Sequence, residues 1–173
     1  MSARGIVVMG VSGCGKSTLG KDIARAFGCP FLEGDAFHPA ANVAKMAGGT
    51  PLDDADRWPW LDALGAALGR AAQEQGRAVA ACSALKRAYR DRLRQAAEVP
   101  LRLICLHGDR AVLWARMQAR TDHYMPASLL DSQLATLELP AAEEGALLLD
   151  LDATPEILLG RALDFLRATD RRG

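Results

Sequence analysis

The apolar run Ile6-Val7-Val8-Met9 leads directly into Gly10-Val11-Ser12-Gly13-Cys14-Gly15-Lys16-Ser17, and a helix-like stretch from Thr18 to Phe27 follows. Strand, glycine loop and helix in that order constrain the fold more than any other feature of the chain. The loop has Walker A spacing, which is meaningful only between a strand and a helix. Its glycines let successive N–H groups turn inward into an anion-binding nest. The helix N-terminus adds partial positive charge. Lys16 can reach the terminal phosphates and the Ser17 hydroxyl can ligate Mg²⁺. A glycine-rich turn with no ligand would give the Gly15-Lys16-Ser17 ending no purpose. Gly10 to Thr18 are therefore assigned to a nucleoside triphosphate, and the open question is what receives the phosphate.

The chain has 173 residues, enough for one domain, and half are hydrophobic, enough for a buried core. Lys plus Arg equals Asp plus Glu at 21 each. That balance argues against a bulk electrostatic footprint for nucleic acid or an anionic membrane. Cys14, Cys29, Cys82 and Cys105 are scattered without metal spacing. They read as reduced thiols of a cytoplasmic protein, with Cys82 and Cys105 in the core. A strand begins almost at the N-terminus, leaving no room for a signal peptide, and no apolar run is long enough to span a membrane.

Apolar runs alternate with helical patterns, which indicates an α/β domain with a mainly parallel sheet. Strands are expected at 5–9, 30–33, 78–82, 101–106 and 146–151. Helices are expected at 16–27, roughly 58–75, 86–97, 110–119, 126–136 and 155–168. Asp56 is the expected cap of the second helix, with Pro59 in its first turn. Residues 40–56 read as loop, with a helical turn at 42–47, and 120–125 as a polar break. Both segments read as mobile elements of the site, and the charged tail from Arg167 is expected to fray.

Four further groupings carry chemistry. Glu33-Gly34-Asp35 lies where the second strand ends, and ligands of open α/β sheets bind beyond such ends. Near a phosphate and Mg²⁺ the two acids divide naturally: one holds the metal's waters, the other accepts a proton from an attacking hydroxyl. A solvated acidic turn is the plainer alternative. Arg57 stands at a helix start between Asp56 and Trp58. It could clamp a carboxylate, although spacing alone favours an ion pair with a flanking aspartate. In Ser83-Ala84-Leu85-Lys86-Arg87-Ala88-Tyr89-Arg90-Asp91, Lys86 and Arg90 are expected to share a helix face, and Lys86 is singled out from the solvated basic residues around it. Arg116 and Arg120, one turn apart before the break, can close over a triphosphate and neutralise developing charge. Asp150 is read as leading into an exit loop, not as a metal ligand.

Taken together, these segments resemble the small P-loop gluconokinases, the bacterial thermoresistant-type gluconate kinases. The likeness runs from about Gly5 to Leu151 and rests on Met9–Ser17, Gly34-Asp35 with His38-Pro39 and Asn42, and Lys45-Met46 to Pro51-Leu52. It also rests on Asp56-Arg57 with Pro59-Trp60-Leu61, Ala81–Arg94, and His123-Tyr124-Met125 through Ser132-Gln133 to Leu137-Glu138. The resemblance implies ATP-dependent phosphorylation of D-gluconate to 6-phospho-D-gluconate, feeding pentose phosphate or Entner-Doudoroff metabolism. It implies a three-layer α/β sandwich with a five-stranded parallel sheet ordered 2-3-1-4-5, like that of shikimate and nucleoside monophosphate kinases. One domain, 1–173, would carry a substrate-binding segment at about 36–60 and a lid at about 116–130. On the family pattern Lys16, Asp35 and Arg120 would be catalytic, with Asp35 the substrate-binding acid and base. His38, Arg57, Lys86 and Gln133 would contact substrate, Arg116 would serve the nucleotide, and Ser17 with Glu33, the latter through water, would hold Mg²⁺. A homodimer is a family-level expectation.

The nearest rival is another kinase of this fold, such as a shikimate kinase. A rival of a different class is a switch or regulator that binds ATP or GTP without transferring phosphate. A GTPase would need an Asn-Lys-x-Asp guanine reader, which the sequence lacks, and Asp62-Ala63-Leu64-Gly65, which matches the short Asp-x-x-Gly element, lies inside an expected helix. Two positions depart from the family pattern: Cys14, often Ser, and Tyr124, usually Phe. A thiol beside a helix N-terminus is expected to be acidified and reactive, unless it is shielded.

Overall fold

The computed structural model describes residues 2–119 and 127–172. Five strands form one parallel sheet: β1 (Arg4–Met9), β2 (Phe31–Glu33), β3 (Arg77–Ala81), β4 (Leu101–His107) and β5 (Leu147–Asp150), in the order β2-β3-β1-β4-β5. The helices are α1 (Lys16–Phe27), α2 (Ala40–Ala47), α3 (Asp54–Gln75), α4 (Arg87–Ala97), α5 (Arg110–Gln118), α6 (Ala127–Thr136) and α7 (Pro155–Asp170). The expected sheet order is the observed one.

A central parallel strand is apolar on both sides because helices cover both faces. In β1, Ile6 and Val8 enter a core under α1 and α7 with Ile23, Ile104, Leu106, Leu158 and Leu166. Val7 and Met9 face the other way, onto Leu61, Leu64 and Leu68 of α3 and Leu93 of α4. The register pairs Val8 with Ala81 and Met9 with Cys105, and Glu33 with Ala81. The ends of β1, β2 and β3 therefore open onto one crevice. Gly34 has no alternative there, since a Cβ would run into the Ala81 carbonyl oxygen. Among the described residues, no helix is long and apolar enough to cross a membrane.

Four expectations need correction. Residues 40–47 form a full helix rather than a loop with one turn. α3 starts earlier than expected: Asp53 is its cap, and Asp56 closes the capping box from the third position. Pro59 consequently sits inside the helix; it and Ala55, whose carbonyl it cannot serve, are both exposed. Lys86 is the N-cap of α4 rather than part of it, so it shares no helix face with Arg90. The C-terminal segment is tied down to Asp170, which binds Arg4 at 2.7 Å and also pairs with Arg77.

Candidate functional site

The loop Gly10–Ser17 turns between β1 and α1. Gly15, at φ 97°, caps the helix in a left-handed conformation open to glycine, and it supplies no side-chain cap. The first N–H groups of α1 are thus left for an anion. Lys16 Nζ donates to the Val11 carbonyl at 3.1 Å. Ser17 Oγ donates to Glu33 Oε2 at 2.5 Å, bringing together the two residues assigned to Mg²⁺. Beside the loop lies a cleft of about 250 Å³ lined by Gly13, Gly15, Thr18, Arg116, Pro155 and Leu158, among others. Arg116 is anchored in its wall by a 2.6 Å bond to the Leu151 carbonyl. Gln133 reaches the same loop from α6. Its Oε1 accepts from Ser12 N–H at 2.7 Å and its Nε2 donates to Ser12 Oγ at 3.0 Å. In this structure Gln133 is joined to the phosphate loop, a link its spacing did not reveal. The Cys14 side chain is buried at 1% exposure, so the thiol is shielded rather than open to reagents.

Asp35 stands exposed on the 3₁₀ turn Gly34–Phe37. The turn is clamped by Trp60, 3% exposed, whose Nε1–H donates to the Gly34 carbonyl at 2.8 Å. His38 stacks on Trp60, with centroids 4.1 Å apart and planes at 18°. Burial lowers the His38 pKa; Asp35 pulls it up and Arg57 down, which puts all three within one electrostatic neighbourhood. Arg57 is held by the Leu52 carbonyl at 2.7 Å and lies 3.9 Å from Asp54. Lys86 meets Asp54 at 3.3 Å, and the Tyr89 hydroxyl donates to the same carboxylate. Both cations lie over the Tyr89 ring, at 5.3 and 5.6 Å. Arg57 and Lys86, 29 positions apart in the chain, therefore share one small surface. The hydrogen bond from Tyr89 and then Lys86 hold Asp54 below its usual range, while burial and Asp54 push Tyr89 up to about 12. Cys82 lies beneath the crevice, raised to about 12 by burial, with Lys16, Asp35 and Glu33 all close enough to act on it. Lys16 of the glycine loop and the two acids therefore lie around the same end of the sheet.

The sequence reading missed Asp54 and Tyr89 as organisers of the cations. It also missed the role of Arg90, which lies buried instead of on a basic face. Arg90 and Glu144 have side chains 1% and 2% exposed and pair at 2.8 and 3.1 Å. Arg90 also donates to the Ala84 and Leu85 carbonyls, fixing the segment that ends at Lys86. Asp62-Ala63-Leu64-Gly65 lies within α3, where Asp62 forms a fork with Arg92 and Leu64 and Gly65 are buried. Arg120 and 121–126, including His123-Tyr124-Met125, lie outside the described residues.

A glycine loop on the 2-3-1-4-5 sheet, facing an acid and two cations, defines the class of small P-loop kinases. The comparisons agree. The model of the AAA domain family matches residues 6–140. A gluconokinase of Gluconobacter oxydans (strain 621H) is 43% identical, over 98% of this chain and 95% of the relative. The crystal structure of a gluconokinase from Sinorhizobium meliloti 1021 superposes with a TM-score of 0.89 at 47% identity, covering 98% and 95% of the two chains. A shikimate kinase from Bacteroides thetaiotaomicron shares the fold at TM-score 0.65 but only 17% identity, covering 96% of this chain and 99% of that one. The chain belongs to the gluconokinase family.

Proposed function

We propose that the protein transfers the terminal phosphoryl group of ATP to D-gluconate, giving 6-phospho-D-gluconate and ADP. The observation that carries this reading is the convergence of Arg57 and Lys86, two cations suited to the one anionic group that distinguishes gluconate from glucose. Segment 36–60 serves as the acceptor-binding unit and 116–130 as the lid. Asp35 accepts the proton of the attacking hydroxyl, and His38 hydrogen-bonds the acceptor. Lys16 follows the charge that builds on the transferring phosphoryl group, with Arg116 and Arg120 closing on the nucleotide. Ser17 and Glu33 are hard oxygen donors in direct contact and fit Mg²⁺, which keeps most of its shell as water and phosphate oxygen. When bound, Mg²⁺ would neutralise phosphate charge. On this reading the enzyme works in the cytoplasm on a free small molecule, engages neither nucleic acid nor membrane, and a homodimer is the family-level expectation.

The test is an acceptor panel read by ADP release with D-gluconate, D-glucose and shikimate. Gluconate should be strongly preferred, because a neutral acceptor brings no anion to Arg57 and Lys86, which among the described residues have only the shared Asp54 carboxylate between them. Comparable kcat/KM for gluconate and glucose would overturn the acceptor assignment and leave the kinase class standing.

A further inference from the structure

His38 meets the acceptor side with one ring nitrogen already engaged. Asn42, four residues on and in the first turn of α2, has its amide Nδ2 at 3.2 Å from His38 Nδ1 and at 2.9 Å from the Asp56 carbonyl oxygen. A carbonyl oxygen only accepts, so the Asn42 atom facing it must be the NH₂ group and not the amide oxygen. The same NH₂ faces Nδ1, so Nδ1 must present its lone pair. An imidazole with a bare Nδ1 carries its hydrogen on Nε2, and a doubly protonated ring would set N–H against N–H.

We infer that Asn42 is a positioning residue that fixes His38 as the neutral Nε2–H tautomer, so that the acceptor site receives a neutral hydrogen-bond donor aimed at a substrate oxygen rather than a base or a cation. Three features make this arrangement rigid. Asn42 is 4% exposed, with no room to swing its amide out to solvent. Its backbone is set by an N–H bond to the Pro39 carbonyl at 2.9 Å. Trp60 covers one face of the imidazole, and is itself pinned to Gly34. The charged groups acting on the ring are Asp35, which favours the imidazolium, and Arg57, which opposes it; burial, with Arg57 acting in the same direction, outweighs Asp35 and lowers the pKa. Asp35 thus remains the one proton acceptor, and His38 supplies orientation. A donor with a fixed hydrogen discriminates in favour of a lone pair at its Nε2 edge, as a hydroxyl or carboxylate oxygen offers.

The inference rests on the acceptor reading for its function, but its first test needs no substrate. The full-length protein is labelled with ¹⁵N-histidine and its long-range ¹H–¹⁵N correlations are followed from pH 8 to pH 5.5. The expected result is a His38 signal with protonated Nε2 and bare Nδ1, persisting below the pH at which a free imidazole charges. A protonated Nδ1, or a charged ring at pH 7, would overturn the assignment. Asn42→Ala then removes the fixing donor. The tautomers should mix, and KM for gluconate should rise about 3- to 10-fold, the worth of one neutral hydrogen bond, with KM for ATP unchanged. Asn42→Asp reverses the demand on Nδ1 and should raise the His38 pKa, giving kcat/KM for gluconate a new dependence on pH that a purely structural role would not produce. An unchanged KM in an Asn42→Ala protein whose tautomer has shifted would also overturn the proposal. Failure of gluconate in the acceptor panel would leave the tautomer result intact, so the two readings fail separately.

Discussion

On the nucleotide side, Gly10 to Ser17 are consecutive, and the backbone between β1 and α1 carries the geometry. On the proposed acceptor side, Asp35, His38, Arg57 and Lys86 come from a 3₁₀ turn, the segment before α2, the first turn of α3 and the cap of α4. No two of the four are neighbours in sequence. The nucleotide side needs little from the rest of the molecule beyond one strand and one helix. The acceptor side exists only through packing: Trp60 holds the turn, Asp54 and Tyr89 gather the cations, and Arg90 with Glu144 fixes Ala84 and Leu85. The loop should therefore be sensitive chiefly to changes within itself, and the acceptor side also to changes at a distance.

The sharpest break in this comparison is Lys16→Ala. The side chain is half-buried, donates to the Val11 carbonyl, and is absent from the hydrophobic clusters of the core. The fold should survive, and on the proposed role of the lysine, acting on charge that develops in transfer, kcat should fall by about three orders of magnitude or more. Circular dichroism with steady-state kinetics checks both points. Near-normal turnover in a folded variant would remove the nucleotide assignment.

The corresponding test of the acceptor side is Arg57→Ala. Truncating one partner of a desolvated charge pair costs about 2–5 kcal/mol, roughly a 30- to 5,000-fold fall in kcat/KM for gluconate. KM for ATP should hardly change. Arg57→Lys should recover only part, because an ammonium cannot reproduce the planar fork. Equal effects on ATP and gluconate would mean that the two sides are not separable in the way their construction implies.

Legibility in the sequence follows the same division. Most element types are readable because periodicity and the glycine loop are local signals, whereas the sheet order follows only from the family likeness. The start of α3 is not readable: Asp53, Asp54 and Asp56 are all plausible caps, and only the reciprocal bonds between Asp53 and Asp56 decide among them. Lys86 separates from its basic neighbours by its place at the end of a strand loop, but Arg90 does not. Its acid partner, Glu144, lies 54 positions away and no local pattern points to it. Family likeness assigns Gln133 to substrate, whereas its bonds run to Ser12.

The distant support can be loosened by pH. Burial pushes the Glu144 carboxyl up, but hydrogen bonds from Arg90, the Ala141 N–H and Arg94 outweigh it and hold the group at about 2, against 4.5 when free. A carboxyl depressed by folding stabilises the native state above its free value, and that contribution is lost as the pH falls toward about 2. The group should contribute about 3 kcal/mol at neutral pH. Urea unfolding of wild type and Glu144→Gln should differ most at pH 7 and converge between about pH 4.5 and 2, the window set by those two values. In the folded variant the loss of activity should fall on KM for gluconate, since Arg90 then holds the Lys86 segment less firmly. A stability difference that stays constant across that pH range would mean the variant acts through packing and not through the charge.

The smallest effect tests where the boundary between the two sides runs. Gln133 sits on α6, yet both ends of its amide bond Ser12 of the glycine loop. Gln133→Ala removes two neutral hydrogen bonds, each worth about 0.5–1.5 kcal/mol net. Solvent can replace part of the loss, because the group is only half-buried. The structural placement leads to an expected rise in KM for ATP of about 3- to 10-fold with KM for gluconate little changed. The family likeness leads to the opposite split. Gln133→Glu separates the two further: its carboxylate still accepts from the Ser12 N–H, but it brings a negative charge to a loop built for phosphate. It should therefore weaken ATP binding more than alanine does if Gln133 belongs to the nucleotide side. A gluconate-selective defect in both variants would move Gln133 across the boundary and give the acceptor site a residue from α6.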